Sequence, residues 1–87
     1  ERLDFFFRSR GWIEMQTPEN LAKSISIEAA ELLELYQWSP DADLERVKEE
    51  VADVILYSLH LVMSYDFDLE QILHDKMDKN EIKYPHP

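Results

Sequence analysis

The sequence predicts an all-α fold, a four-helix bundle in one domain over residues 1–87, and three features predict it. Apolar residues recur at the 3.6-residue spacing of an amphipathic helix in four stretches. No segment shows the strict alternation of a half-buried strand. Only one glycine (Gly11) and four prolines interrupt the chain, and three of the prolines fall at segment ends.

The first stretch, about residues 1 to 10, carries Leu3, Phe6 and Phe7 on one side and ends near Gly11. The following "WIEMQTP" reads as a loop. Thr17 before Pro18 supplies an N-cap and a first-turn proline for a second helix over about 18 to 37. "SPDAD" breaks the pattern, and Asp43 caps a third helix over about 44 to 64. "SYDFD" breaks it again. Asp68 followed by Gln71 resembles a capping box and opens a fourth helix, about 69 to 82, that stops before Pro85. Short connections between the last three helices make them antiparallel neighbours.

A chain of 87 residues suits one domain. A domain this small buries only about 60 to 65% of its unfolded surface. It has no cysteine, so neither a disulfide nor a thiolate metal site supports it, and self-association is expected as a dimer or dimer of dimers. Nineteen acidic against nine basic residues give a formal charge of −10, a field that disfavours nucleic acid and membrane surfaces. The same field makes a polyanionic substrate puzzling unless metal cations reverse the local potential. No apolar run reaches the roughly 20 residues of a membrane span, no signal peptide is visible, and the expected compartment is the cytoplasm. The scarcity of glycine rules out a Walker loop or a dinucleotide-binding turn.

Chemistry enters through two pairs of carboxylates. Glu28 and Glu31 interrupt the Ile, Ala and Leu of the second helix, and Glu50 and Asp53 do the same among the valines of the third. Positions i and i+3 differ by about 60° on a helix and share a face. In the second helix Leu21, Ile25, Leu32 and Tyr36 form a stripe with Glu28 at its margin. In the third, Val47, Val51, Val54 and Leu61 form a stripe with Glu50 at its margin. Antiparallel packing through these stripes sets both pairs along one seam, with the axial register left open. Four carboxylates within about 5 Å repel by around 1 kcal/mol per pair in water, and persist where a cation or a proton offsets them. All-oxygen ligation favours Mg²⁺, with Mn²⁺ as a substitute, over zinc. A di-iron bundle needs Glu-x-x-His on two helices, which neither pair provides. The ordinary reading of a single Glu-x-x-Glu is a solvated face. Two pairs on consecutive helices, both at stripe margins, set this chain apart, whereas Glu34, Glu45 and Glu49 lie off the margins and read as solvated.

Glu28-x-x-Glu31, eighteen residues, then Glu50-x-x-Asp53, with "KMDKNEIKYP" near the end, resembles the all-α nucleoside triphosphate pyrophosphohydrolases of the MazG-like superfamily. The similarity is closest to the dCTP pyrophosphatase-like and integron-associated MazG-like proteins and covers about Leu3 to Pro85. It implies a MazG-like bundle that hydrolyses (deoxy)nucleoside triphosphates to the monophosphate and pyrophosphate, clearing unwanted nucleotides from the pool. It further implies Mg²⁺ held by Glu28, Glu31, Glu50 and Asp53, with Glu31 accepting the proton of the attacking water. By the same resemblance Trp12 and Trp38 wall the base and Tyr57 packs on the sugar. Asn80 would bond the sugar, while Lys76, Lys83 and Tyr84 would meet phosphate oxygens. Taken alone, each aromatic is an ordinary core or helix-end residue, and the lysines a basic helix end suited to the dipole. Some dCTP-preferring relatives carry a His in the first helix where this chain has "RLDFFF". His60, His74 and His86 match no catalytic position and read as structural or surface residues. The alternative function is a non-catalytic regulatory or assembly domain that binds Mg²⁺ or a nucleotide without turnover. A phosphoribosyl-ATP substrate on the same fold is disfavoured by the two tryptophan positions.

Overall fold

Capping chemistry sets the helix starts in the computed structural model, which describes Arg2, Phe5, Phe6 and residues 17–86. Helix α1 runs Pro18–Glu34, α2 Leu44–Ser64 and α3 Leu69–Lys83. Each begins where the sequence offers a cap. The Thr17 hydroxyl accepts from Asn20 N at 3.1 Å, Asp43 Oδ1 from Glu45 N at 3.0 Å, and Asp68 Oδ1 from Gln71 N at 3.0 Å. Each such bond satisfies one of the orphan N–H groups of a first turn. The expected first helix falls largely outside the described residues, although Arg2, Phe5 and Phe6 are helical.

The end of α1 differs from the sequence reading, whereas α2 ends where it was expected, at Ser64. α1 stops at Glu34, three residues short of 37. The apolar pattern runs on, but the backbone tightens into i→i+3 bonds, Leu35 N to Leu32 O, Tyr36 N to Leu33 O and Gln37 N to Glu34 O, at 3.0 to 3.2 Å. Pro40 then bars Ser39 from helical geometry. α2 ends in a Schellman motif, with Phe67 N donating to Val62 O at 3.0 Å and Asp66 N to Met63 O at 3.1 Å. Asp66 holds the left-handed position at φ 57°, where glycine is the usual occupant. Across this corner the Tyr65 and Phe67 rings stack with centroids 5.1 Å apart.

α1 and α2 pack extensively on one another, and among the described helices only this pair does so. Leu21 of α1 is fully buried, and Ile25, Leu32, Val47, Val54 and Leu61 are half-buried. Two members of the expected stripes are exposed. Tyr36 (42%) lies beyond the end of α1, where helical spacing no longer directs it inward, and Val51 (37%) sits at the outer edge of its stripe. Every residue of α3 is exposed apart from half-buried Asn80. No helix among the described residues is long and apolar enough to cross a membrane.

Candidate metal centre

Glu28 lies in the middle of α1 and Glu50 in the first half of α2, and the packing of the two helices brings them together. Carboxylate oxygens of Glu28, Glu31 and Glu50 all lie within 4.8 Å of one another. Glu28 and Glu50 are half-buried and Glu31 is exposed, so the trio forms a partly sunken acidic spot open on one side. The axial register left open by the sequence is therefore one that joins both acidic pairs.

The electrostatics of the spot are unfavourable without a cation. Burial, a hydrogen bond to Glu31 and the charges of Glu31, Asp53 and Glu50 push the Glu28 carboxyl up to about 7. Glu50 is pushed up as well, first by burial and then by the charge and hydrogen bond of Glu31 and the charge of Asp53, with a hydrogen bond to Glu28 opposing. Asp53 stands outside the trio but close enough for its charge to act on both. Oε2 of Glu28 and Oε2 of Glu50 are buried without a hydrogen-bond partner. Buried oxygens of this kind cost on the order of 1 to 3 kcal/mol each unless something binds them. The donor set is all oxygen and supplies negative charge from three sides, which suits a hard divalent cation. These residues fit one.

The other expected site residues that the structure describes are not members of the trio. Tyr57 is half-buried on α2, one turn beyond Asp53. Trp38 is 89% exposed in the turn after α1, and Trp12 lies outside the described residues. Lys76, Asn80 and Lys83 share one side of α3, within about 60° of one another at about 100° per residue, and Tyr84 is the C-cap that follows them. Lys83 Nζ lies 5.3 Å from the Tyr84 ring centroid, a cation–π contact. A cleft of about 270 Å³ is lined by Met77, Asn80, Glu81 and Tyr84, beside one of about 450 Å³ lined by Glu81, Tyr84, Pro85 and His86. Among the described residues neither cleft includes a member of the carboxylate trio.

The solvated assignments hold for Glu34, Glu45 and Glu49, all of them exposed. His74 is exposed with Nε2 3.8 Å from Glu70 Oε1, and His86 is exposed. His60 is buried (1% exposed) and its pKa is lowered by that burial. It lies ten residues beyond Glu50 on α2. Its position at i+7 from Asp53, two turns along the same side, was the available signal that it faces inward.

Comparison with known proteins places this geometry in a family. The sequence pattern of the MazG-like family matches residues 23–87. A Bos taurus protein named dCTP pyrophosphatase 1 is 34% identical over 90 residues, covering 92% of this chain and 53% of its own length. The Homo sapiens protein of the same name is 33% identical with the same coverage. The chain thus spans about half the length of the curated relatives it matches. A crystal structure described as a pyrophosphatase from Archaeoglobus fulgidus superposes with a TM-score of 0.82 at 47% identity, covering 97% of this chain and 86% of that one. On its sequence pattern, its relatives and its fold alike, the chain belongs to the MazG-like family.

Proposed function

We propose that this chain hydrolyses (deoxy)nucleoside triphosphates to the monophosphate and pyrophosphate, with Mg²⁺ as cofactor, Mn²⁺ as a substitute, and removal of unwanted nucleotides in the cytoplasm as the outcome. The observation that carries the reading is the convergence of Glu28, Glu31 and Glu50, with two buried and unbonded oxygens, on one half-open spot. The names of the relatives, dCTP pyrophosphatase and pyrophosphatase, support the same chemistry.

Glu28, Glu31 and Glu50 would hold the cation, with Asp53 beside them as a fourth ligand. When bound, the ion supplies charge neutralisation for the phosphates and acidity for a nucleophilic water. Glu31, the exposed member of the trio, would accept that water's proton. Tyr57, on the same side of α2 as Asp53, packs on the sugar, and Trp12 and Trp38 stack on the base. Lys76, Asn80, Lys83 and Tyr84 engage phosphates and sugar. Because α3 does not pack extensively on the other described helices, these four would serve the site of a neighbouring copy in a dimer or dimer of dimers.

The test is to incubate the full chain with Mg²⁺ and each nucleoside triphosphate in turn and to identify the products. Monophosphate plus pyrophosphate is expected. Diphosphate plus phosphate would refute the bond assigned, and tight nucleotide binding without any product would leave a Mg²⁺- and nucleotide-binding module.

A further inference from the structure

The chain has no cysteine, so its three methionines carry its only sulfur, and they differ in access. Met15 lies outside the described residues, and Met63, near the end of α2, is half-buried. Met77, in the middle of α3, is 51% exposed. A thioether at the surface meets dissolved oxidants, whereas one packed among other side chains is shielded from them. Burial therefore ranks Met77 ahead of Met63 as a target for oxidation.

The surroundings of Met77 give its oxidation a consequence. Met77 lines the cleft of about 270 Å³ together with Asn80, Glu81 and Tyr84. Asn80 follows it by three positions, roughly 60° around the helix and about 4.5 Å along it, and is half-buried. The Asn80 amide and the Tyr84 hydroxyl both carry hydrogen-bond donors, and a thioether sulfur is only a weak acceptor that leaves them to a ligand. Oxidation to the sulfoxide turns this apolar side chain into a polar one with an accepting oxygen. In the same cleft that oxygen competes for the protons of Asn80 and Tyr84, the groups assigned above to sugar and phosphate.

We propose that Met77 is a reversible oxidation switch on nucleotide binding: peroxide converts its thioether to the sulfoxide, which takes up the donors of Asn80 and Tyr84 and weakens the hold on substrate. In that step one peroxide oxygen bonds to sulfur as the O–O bond breaks. The sulfur loses two electrons, and the other oxygen leaves as water with both peroxide protons. A methionine sulfoxide reductase, drawing two electrons from thiols, restores the thioether and releases the oxygen as water. With no cysteine in the chain, no sulfenic acid or disulfide forms beside it. This inference rests on the α3 contacts proposed above.

The test treats the full chain with dilute hydrogen peroxide and follows each methionine by the one-oxygen mass gain of its peptide. Met77 should be oxidised several-fold faster than Met63. KM for the nucleoside triphosphate should then rise about two- to tenfold, the worth of one hydrogen bond. The value of kcat should hold, since among the described residues the cleft includes no member of the carboxylate trio. Methionine sulfoxide reductase with dithiothreitol should return KM to its starting value. Met77→Leu, a swap of similar volume, should show one KM before and after peroxide. Oxidation of Met63 as fast as Met77 would overturn the proposal. So would a Met77 sulfoxide with unchanged KM, or an equal rise in Met77→Leu. Loss of helical circular dichroism on oxidation would make Met77 a packing residue and overturn it as well. Equilibrium dialysis against the nucleotide reads the same change as a loss of affinity, so failure of hydrolysis and failure of the switch are told apart.

Discussion

Replacing Glu28 with glutamine should reverse its effect on stability according to whether Mg²⁺ is present. Carboxylate oxygens of Glu28, Glu31 and Glu50 lie within 4.8 Å of one another. Two unit charges at that separation repel by about 0.9 kcal/mol in water, and Glu28 faces two of them. Salt at about 0.1 M, with a Debye length of about 10 Å, trims the sum to roughly 1 kcal/mol. At pH 8, above the Glu28 value of about 7, Glu28→Gln in EDTA should therefore melt higher than wild type. For a domain of this size 1 kcal/mol corresponds to about 4 to 8 °C. In Mg²⁺ the order should invert. A ligand at a hundred times its Kd adds about 2.7 kcal/mol to the native state, and only the wild type keeps the full ligand set. Thermal melts of the full chain in EDTA and in Mg²⁺, followed by circular dichroism, read both arms. If Glu28→Gln melted below wild type in EDTA, the carboxylate would be a structural hydrogen-bonder. If both proteins gained equally from Mg²⁺, the trio would not be the cation site.

Three further outcomes are expected. The folded state holds a proton on Glu28 up to about pH 7 that the unfolded chain releases near 4.5, so in EDTA that contribution to stability is lost as pH rises across this window. Melting wild type and Glu28→Gln from pH 4.5 to 8 should show the downward trend in the first and its reduction in the second. His60 acts in the opposite sense: its lowered pKa makes the folded state lose stability as pH falls below about 6.5, so His60→Leu should flatten the acid limb of the same melting curve. Asp66→Gly should raise stability by about 1 kcal/mol in a urea titration, because glycine takes the left-handed φ of 57° without the Cβ clash.

The helix starts were legible because capping is local: Thr17, Asp43 and Asp68 each sit within three residues of the N–H they satisfy. The end of α1 was not, since Leu35 and Tyr36 continue the apolar pattern while the backbone has already tightened ahead of Pro40. Pairing the carboxylates within each helix needed only the 100° step. Joining Glu28 and Glu31 to Glu50 needed the sliding register of α1 on α2, which depends on side-chain packing that no single-helix pattern encodes. The loose attachment of α3 was equally hidden. Leu69, Ile72, Leu73 and Met77 form an apolar side of α3 that is exposed, and among the described helices none packs extensively on it.

The charge balance leads to a last prediction. A chain of charge −10 should repel a nucleotide, yet the proposed substrate is a polyanion. Treating the charge as lying 15.7 Å from a Mg²⁺-nucleotide of charge about −2, the unscreened repulsion is on the order of 5 kcal/mol in water. Raising the ionic strength from about 0.01 to 0.15 M shortens the Debye length from about 30 to 8 Å and removes most of it. With Mg²⁺ kept saturating, KM for the nucleotide should therefore fall with added salt, by at most roughly fiftyfold if the whole charge acted from the centre. A rise in KM would mean that Lys76 and Lys83 govern the local field, and Lys76→Ala with Lys83→Ala should then restore the fall. The sign of the salt effect thus separates a site that relies on its cation to admit phosphate from one that relies on its lysines.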